Sequence, residues 1–108
     1  MPNAFKSNVA ANIVTTGNTV YTCPAATQTT LIGLTLSNKS AGTVTANVFL
    51  RRSSIDYSLI SNAPILTGST LVPIGGEQKV VMQQADELKI TSSANASVDV
   101  IASLLEIT

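Results

Sequence analysis

The residues that most often carry chemistry in proteins are sparse in this chain. Its 108 residues include no histidine and a single cysteine, Cys23. The absence of histidine removes the commonest general base and the commonest metal ligand. A thiol nucleophile needs a partner base or an electropositive setting, and Cys23 lies between Thr22 and Pro24 with no base nearby in the sequence. We therefore interpret Cys23 as a structural residue that has no partner for a disulfide within the chain.

The six acidic residues give no catalytic or metal-binding pattern. Asp86 and Glu87 are the one adjacent pair, and neighbours in a strand point to opposite faces. We expect Asp86 to make a local hydrogen bond in a turn. No DxDxD spacing suggests calcium, Gly75-Gly76 lacks the spacing of a phosphate loop, and nothing proposes a glycosidase pair from distant acids. The sequence predicts a protein that is not an enzyme and that uses no cofactor, metal or small-molecule substrate.

Charge is scarce and balanced. Charged residues make up 11% of the chain, with six basic and six acidic residues, whereas about a quarter is usual for a soluble domain. Such a chain lacks the electrostatic attraction that binds nucleic acid or anionic lipid. It gains little solubility from self-repulsion, which favours association, so we expect a homo-oligomer and neither a nucleic acid nor a membrane partner. Arg51-Arg52 is the one basic cluster, and it is either a solvated strand end or a contact with an acidic patch on a partner.

The start of the sequence lacks the apolar stretch of a secretory signal peptide. No run approaches the ~18 apolar residues of a membrane span. Together with the single cysteine, this favours synthesis in a host cytoplasm without export.

Hydrophobic residues alternate with a period of two, which predicts β-strands. Ile32, Leu34 and Leu36 share one face of the first clear run, and Val44, Val48 and Leu50 share one face of the next. Between the runs, residues 38–42 have the composition of a short hairpin loop, so we expect 30–37 to pair with 43–52. The predicted strands are 9–14, 18–23, 30–37, 43–52, 55–61, 70–72, 79–82, 88–91 and 97–107.

This spacing predicts an all-β fold, a single antiparallel β-sandwich or jelly roll of about eight strands with an extended N-terminal arm. We expect more than a third of the residues in strands and no helix longer than two turns. The predicted core comprises Ile32, Leu34, Leu36, Val44, Val48, Leu50, Leu88, Ile90, Val98 and Val100.

Two regions are candidates for contact with a partner. Residues 1–16 are either a docking arm, with Phe5, Val9 and Ile13 as its anchors, or an ordinary first strand of the 17–108 sandwich domain. The last strand is apolar on both faces, because Leu105 opposes the face of Val98 and Val100; such a strand is central or has its second face covered. The predicted interface residues are Phe5, Val9, Ile13, Arg51, Arg52 and Leu105.

Two stretches carry a resemblance to known proteins. The first is residues 19–26 followed by 30–38, and the second is residues 77–93 followed by 98–107. Their pattern of strands and turns resembles small virion structural proteins of tailed phages, especially those of marine bacteria and cyanobacteria. The resemblance spans most of residues 18–108.

The resemblance implies a virion protein that binds the major capsid protein or other virion proteins. Among such parts, a capsid decoration or cement protein on the outer shell is the first expectation. A tail, baseplate or neck component is the alternative within virions. A glycan-binding jelly-roll module is a further alternative, which the scarcity of aromatic residues disfavours, since the chain has two tyrosines, two phenylalanines and no tryptophan.

Overall fold

The computed structural model of the chain describes residues 3–74 and 79–107. The Gly75-Gly76 turn and Glu77 lie outside these described residues. Nine strands and no helix occur within the described part, and strands account for 67% of it. Their bounds are β1 Asn3–Ala10, β2 Asn18–Thr22, β3 Gln28–Asn38, β4 Val44–Arg52, β5 Ile55–Ile65, β6 Thr70–Ile74, β7 Val80–Met82, β8 Glu87–Ser92 and β9 Val98–Ile107.

The strands form two antiparallel sheets that pack face to face. One, which we call the β9 sheet, has the order β1-β9-β3-β6, and β7 pairs with the other half of β3. The second, the β8 sheet, has the order β2-β8-β4-β5. With β6 and β7 counted as two parts of one strand position, this is the eight-stranded order of a jelly roll, whose chain passes repeatedly from one sheet to the other. The predicted all-β sandwich is confirmed.

The core lies between the two sheets and is formed by their inward-facing side chains. Eight of the ten residues predicted for the core are buried, because the alternation in the sequence matches the pleat of the strands. The buried apolar residues are Ile13, Val20, Tyr21, Cys23, Leu31, Leu34, Leu36, Val44, Ala46, Val48, Ile65, Met82, Leu88, Ile90, Val98, Val100, Ala102 and Leu104.

The prediction was wrong for Ile32 and Leu50, which are half-buried. The pairing of β3 with β9 shifts between Leu31 and Gly33, so Ile32 is the extra residue of a β-bulge. A bulge reverses the alternation by one residue, and Leu31 therefore takes the core position expected for Ile32. Leu50 lies near the end of β4, opposite the exposed Tyr57.

The expected hairpin between residues 30–37 and 43–52 was also wrong. β3 pairs with β6, β7 and β9, whereas β4 pairs with β5 and β8. Residues 39–43 cross from one sheet to the other, so the apolar rows of β3 and β4 face each other across the core. Two runs with the same alternation bury their apolar sides equally well side by side or face to face, and the pattern does not distinguish these arrangements.

The first strand begins earlier than the predicted 9–14. Residues 3–10 form β1, which pairs along its whole length with β9 of the same chain. Ile13 follows the strand; its side chain is fully buried and its backbone N–H donates to the Val98 carbonyl at 3.0 Å. Ile13 is thus part of the core and is not available as a surface contact in this conformation.

The bulge in β3 yields a matched pair of substitutions. Leu34→Ala should lower the free energy of unfolding by about 2–5 kcal/mol, because it removes a fully buried side chain and leaves a cavity. Ile32→Ala, two residues away, should cost about 1 kcal/mol, since that side chain is only half-buried. Denaturant unfolding followed by circular dichroism measures both. Equal losses at the two positions would contradict the bulge.

Candidate interaction surface

The outer face of the β9 sheet is almost uncharged and carries several exposed apolar side chains. Residues paired across antiparallel strands share a face, so the register between β1 and β9 places Phe5 beside Leu105 and Val9 beside Ile101. Phe5 is 79% exposed and Val9 72%. We call this surface the apolar face; its large apolar members are Phe5, Val9, Val72, Val81, Ile101, Leu105 and Ile107.

The side chains of the apolar face lie in rows that run across the strands. One row crosses β1, β9, β3 and β7, and its members are Phe5, Leu105, Thr30 and Val81. A second row contains Val9, Ile101 and Thr35. Between them is a row of small residues, Ser7, Ser103 and Gly33. These rows form two ridges separated by a trough, and Ile107 lies in a further row with Asn3 and Gln28.

Charge is almost absent from this face. Among its described strand positions the one charged residue is Asp99, at the end of β9, where it pairs with Lys39 at 2.9 Å. The outer face of the β8 sheet differs, since Glu87 and Arg51 face each other there and Asp56 lies next to Arg51. The two outer surfaces of the sandwich are thus chemically unlike.

The strand β1 has a reversed side-chain polarity, because its large apolar side chains face outward and two of its polar side chains face the other sheet. Its outward positions carry Phe5 and Val9, whereas Lys6 and Asn8 lie opposite the buried residues Leu104 and Ala102 of β9. None of its residues is classed as buried. An edge strand that turns its largest apolar side chains to solvent is suited to contact with another surface rather than to filling its own core.

A buried polar network holds β1 and β2 to the last strand. The Tyr21 hydroxyl donates to Glu106 Oε2 at 2.6 Å and lies 2.7 Å from the Thr29 hydroxyl. The Lys6 ammonium lies 2.9 Å from Glu106 Oε1. Asn8 adds a link between the sheets, because its side-chain amide donates to the Val20 carbonyl at 3.1 Å. Tyr21, Glu106 and Lys6 come from β2, β9 and β1, so one carboxylate ties three strands together.

The same network shifts two pKa values. The Tyr21 hydrogen bond, followed by the Lys6 ammonium, holds the pKa of Glu106 below its usual value, although burial opposes this shift. Burial, followed by the hydrogen bond to Glu106, raises the pKa of Tyr21 well above its usual value. The phenol is therefore a permanent donor and the carboxylate an ionised acceptor at neutral pH.

Both arginines of the predicted basic cluster are engaged within the chain. Arg52 forms two hydrogen bonds with Asp86, at 2.8 and 2.5 Å, and Asp86 also accepts from the backbone N–H of Gln83 at 2.8 Å. Arg51 lies 3.1 Å from Asp56 on the neighbouring strand. The hydrogen bond from Arg52 holds the pKa of Asp86 below its usual value. These contacts fix the turn before β8 and the end of β4, and both arginine side chains already have carboxylate partners within the chain.

Cys23 is buried, and its thiol contacts the Thr27 carbonyl and the Thr29 hydroxyl. Within residues 3–74 and 79–107, no group of histidine, cysteine or acidic residues could hold a metal ion. One open cleft of about 470 Å³ is lined by Ala26, Thr27, Gln28, Gln83, Gln84 and Ile107. It contains amides but neither an aromatic platform nor a titratable group.

The sequence named three residues of the apolar face, Phe5, Val9 and Leu105, and the structure places all three on one sheet. It missed Val72, Val81, Ile101 and Ile107. Val72 and Val81 lie in short strands whose partner is not evident from the sequence. The signal for Ile101 was present in the two-sided pattern of β9, but only the register shows that it lies beside Val9.

No protein-family model and no curated protein matches the chain. Solved structures do resemble it. One, from work on Bacillus endospore appendages that form disulfide-linked pili, has 14% identity and a TM-score of 0.59, and the match covers 98% of this chain and 88% of that chain. A chain of the T13 IBDV viral particle has 10% identity and a TM-score of 0.52; the match covers 96% of this chain but 30% of that one.

A chain of the cyanophage Pam1 capsid asymmetric unit has 18% identity and a TM-score of 0.43, with 98% of this chain and 86% of that chain covered. This TM-score is below the level that indicates a shared fold. The first two structures share the fold of this chain at low sequence identity. In the described residues, no helix is long and apolar enough to cross a membrane.

The network predicts how stability responds to acid. Because the folded-state pKa of Glu106 is lowered, its contribution is fully present above the unfolded-state pKa of about 4.3 and is lost as the pH falls through the folded-state value. Tyr21→Phe should reduce this acid-dependent loss more than Lys6→Met does, since the Lys6 side chain is half exposed and its ion pair is screened by solvent.

Denaturant midpoints measured between pH 7 and pH 3 provide the test. Tyr21→Phe should also cost about 1–3 kcal/mol at pH 7, because it leaves a buried carboxylate without its donor. An acid dependence equal to that of the wild type in Tyr21→Phe would contradict the proposed cause of the pKa shift.

Proposed function

We propose that this chain is a non-enzymatic structural protein of a virus particle, and specifically a capsid decoration protein that binds the outer shell and stabilises it. The observation that carries the proposal is the apolar face. Large apolar side chains that are exposed together on one almost uncharged face mark a site of association. Assembly with other copies or other virion proteins gives this face a role.

The chemistry of the described residues supports an assembly protein over an enzyme. The acidic side chains Asp56, Asp86, Asp99 and Glu106 are each paired with a basic residue of the chain. The one thiol is buried, and the open cleft brings together amides without an acid or a base. These four carboxylates and the thiol are therefore used to hold the fold.

The two solved structures that share the fold come from disulfide-linked pili of endospore appendages and from an icosahedral virus particle. They share the fold of this chain at low identity. The resemblance of most of residues 18–108 to virion proteins of tailed phages supplies the choice of a virus particle.

A decoration protein would stabilise the shell by mass action. A protein that binds the assembled shell and not the separated subunits shifts the equilibrium toward the assembled state in proportion to its occupancy. Low charge suits this role, because copies placed close together on one shell repel each other weakly.

The number of copies in purified particles tests the proposal. Quantitative mass spectrometry should find this chain at a copy number that scales with that of the major capsid protein, in the hundreds. A few copies, or a few dozen, would identify a tail, baseplate or neck component, since those parts have low rotational symmetry. Absence from the particles, or glycan-dependent binding by the purified protein, would contradict a structural virion role.

A further inference from the structure

We propose that the apolar face is covered by a second copy of this chain, related to the first by a two-fold axis. The proposal deepens the proposed function, on which it rests for the expectation that the chain assembles. It commits to one occupant because the shape, the charge and the size of the face all suit its own copy.

The shape of the face is complementary to itself. The ridge containing Phe5 and Leu105 lies two residues along the strands from the trough at Ser7 and Ser103, which corresponds to about 7 Å. A two-fold axis that lies midway between this ridge and the trough, and runs across the strands, places the Phe5–Leu105 ridge of each copy over the trough of the other. The same operation seats both copies of this ridge, as an isologous interface requires, and it sets the second ridge, at Ile101, against the row that contains Ile107.

The charge of the face allows two copies to meet. Like charges brought together across an interface cost several kcal/mol, and this face carries one charged strand residue among its described positions, Asp99, which Lys39 neutralises at the margin. The outer face of the β8 sheet would instead place Glu87, Arg51 and Asp56 in the contact. Self-association through the β9 sheet therefore needs no charge to be buried.

The size of the face reaches what a dimer needs. Four strand positions spaced ~4.8 Å apart, with 8 to 11 residues each at ~3.4 Å and the last position shared by β6 and β7, give about 500–650 Å² per copy. Two copies would bury about 1,000–1,300 Å², which is just above the ~1,000 Å² expected of a specific interface. We therefore expect a dissociation constant in the micromolar range, at the weak end for such interfaces.

The dimer also explains the reversed polarity of β1. In the isolated chain Phe5 and Val9 lie in solvent, and β1 is held by its ladder with β9 and by the contacts of Lys6 and Asn8. With a second copy seated on the face, these side chains pack on the opposite sheet, and β1 belongs to one of the two inner sheets of a double sandwich.

The oligomeric state of the full chain tests this arrangement. Sedimentation velocity should show a monomer–dimer equilibrium for the wild type. Leu105→Lys should weaken dimerisation by about 30-fold or more, the loss expected for a central interface residue. Leu66→Lys is the matched control, because Leu66 is an exposed leucine in the loop between β5 and β6, outside the face; its dimer should be as stable as that of the wild type.

A second variant distinguishes the ridge-and-trough contact from non-specific hydrophobic association. Ser103→Tyr fills the trough on an exposed position of β9, where tyrosine is well tolerated in a strand. It should weaken the dimer by at least tenfold although it adds apolar area, while circular dichroism stays that of the wild type. Tighter association by Ser103→Tyr would overturn the proposed seating.

The outcomes distinguish this inference from the proposed function. A wild-type chain that stays monomeric at ~100 µM, well above a micromolar dissociation constant, would overturn the dimer, whatever its copy number in particles. If Leu105→Lys then lost binding to particles, the shell protein would be the occupant of the face. A dimer with the expected response to Leu105→Lys and Ser103→Tyr, in a chain absent from virus particles, would support the interface and overturn the virion role.

Discussion

The structure depends on a strand that is apolar on both sides. β9 lies between β1 and β3. Its inward apolar residues are buried in the core; they are Val98, Val100, Ala102 and Leu104. Of its outward apolar residues, Ile101 and Ile107 are exposed and Leu105 is half-buried. One side of the strand thus builds the domain, and the other leaves apolar surface exposed, which is the feature on which the proposed assembly rests.

Polar interactions complete the fold without competing for that surface. Among the described residues, no buried side-chain nitrogen or oxygen lacks a hydrogen-bond partner. Glu106, near the end of β9, has a buried side chain that joins Tyr21 and Lys6 to this strand. Asp86 fixes the turn before β8 through Arg52. The charged groups stabilise turns and strand edges, so the ridges of the apolar face stay uncharged.

Alternation in the sequence was enough to predict the sandwich and eight of its buried core residues, because burial on one face imposes a period of two. It could not predict which strands pair, since β3 and β4 bury their apolar rows equally well in one sheet or across the core. The bulge at Ile32 and the core position of Ile13 depend on register and on a turn, and the pattern encodes neither. Phe5, Val9 and Leu105 were identified as interface candidates, but the ridges they form require the β1–β9 register.

The most direct test of the central claim compares two aromatic residues in one experiment. Phe5 on the apolar face and Tyr57 on the β8 sheet are both largely exposed in the isolated chain, at 79% and 51%. Hydroxyl-radical footprinting with mass spectrometry can follow both in dilute and in assembled protein. We expect assembly to suppress the oxidation of Phe5 and to leave that of Tyr57 unchanged. Equal oxidation of Phe5 in the two states, or protection of Tyr57 instead, would contradict the claim that the apolar face is the surface of assembly.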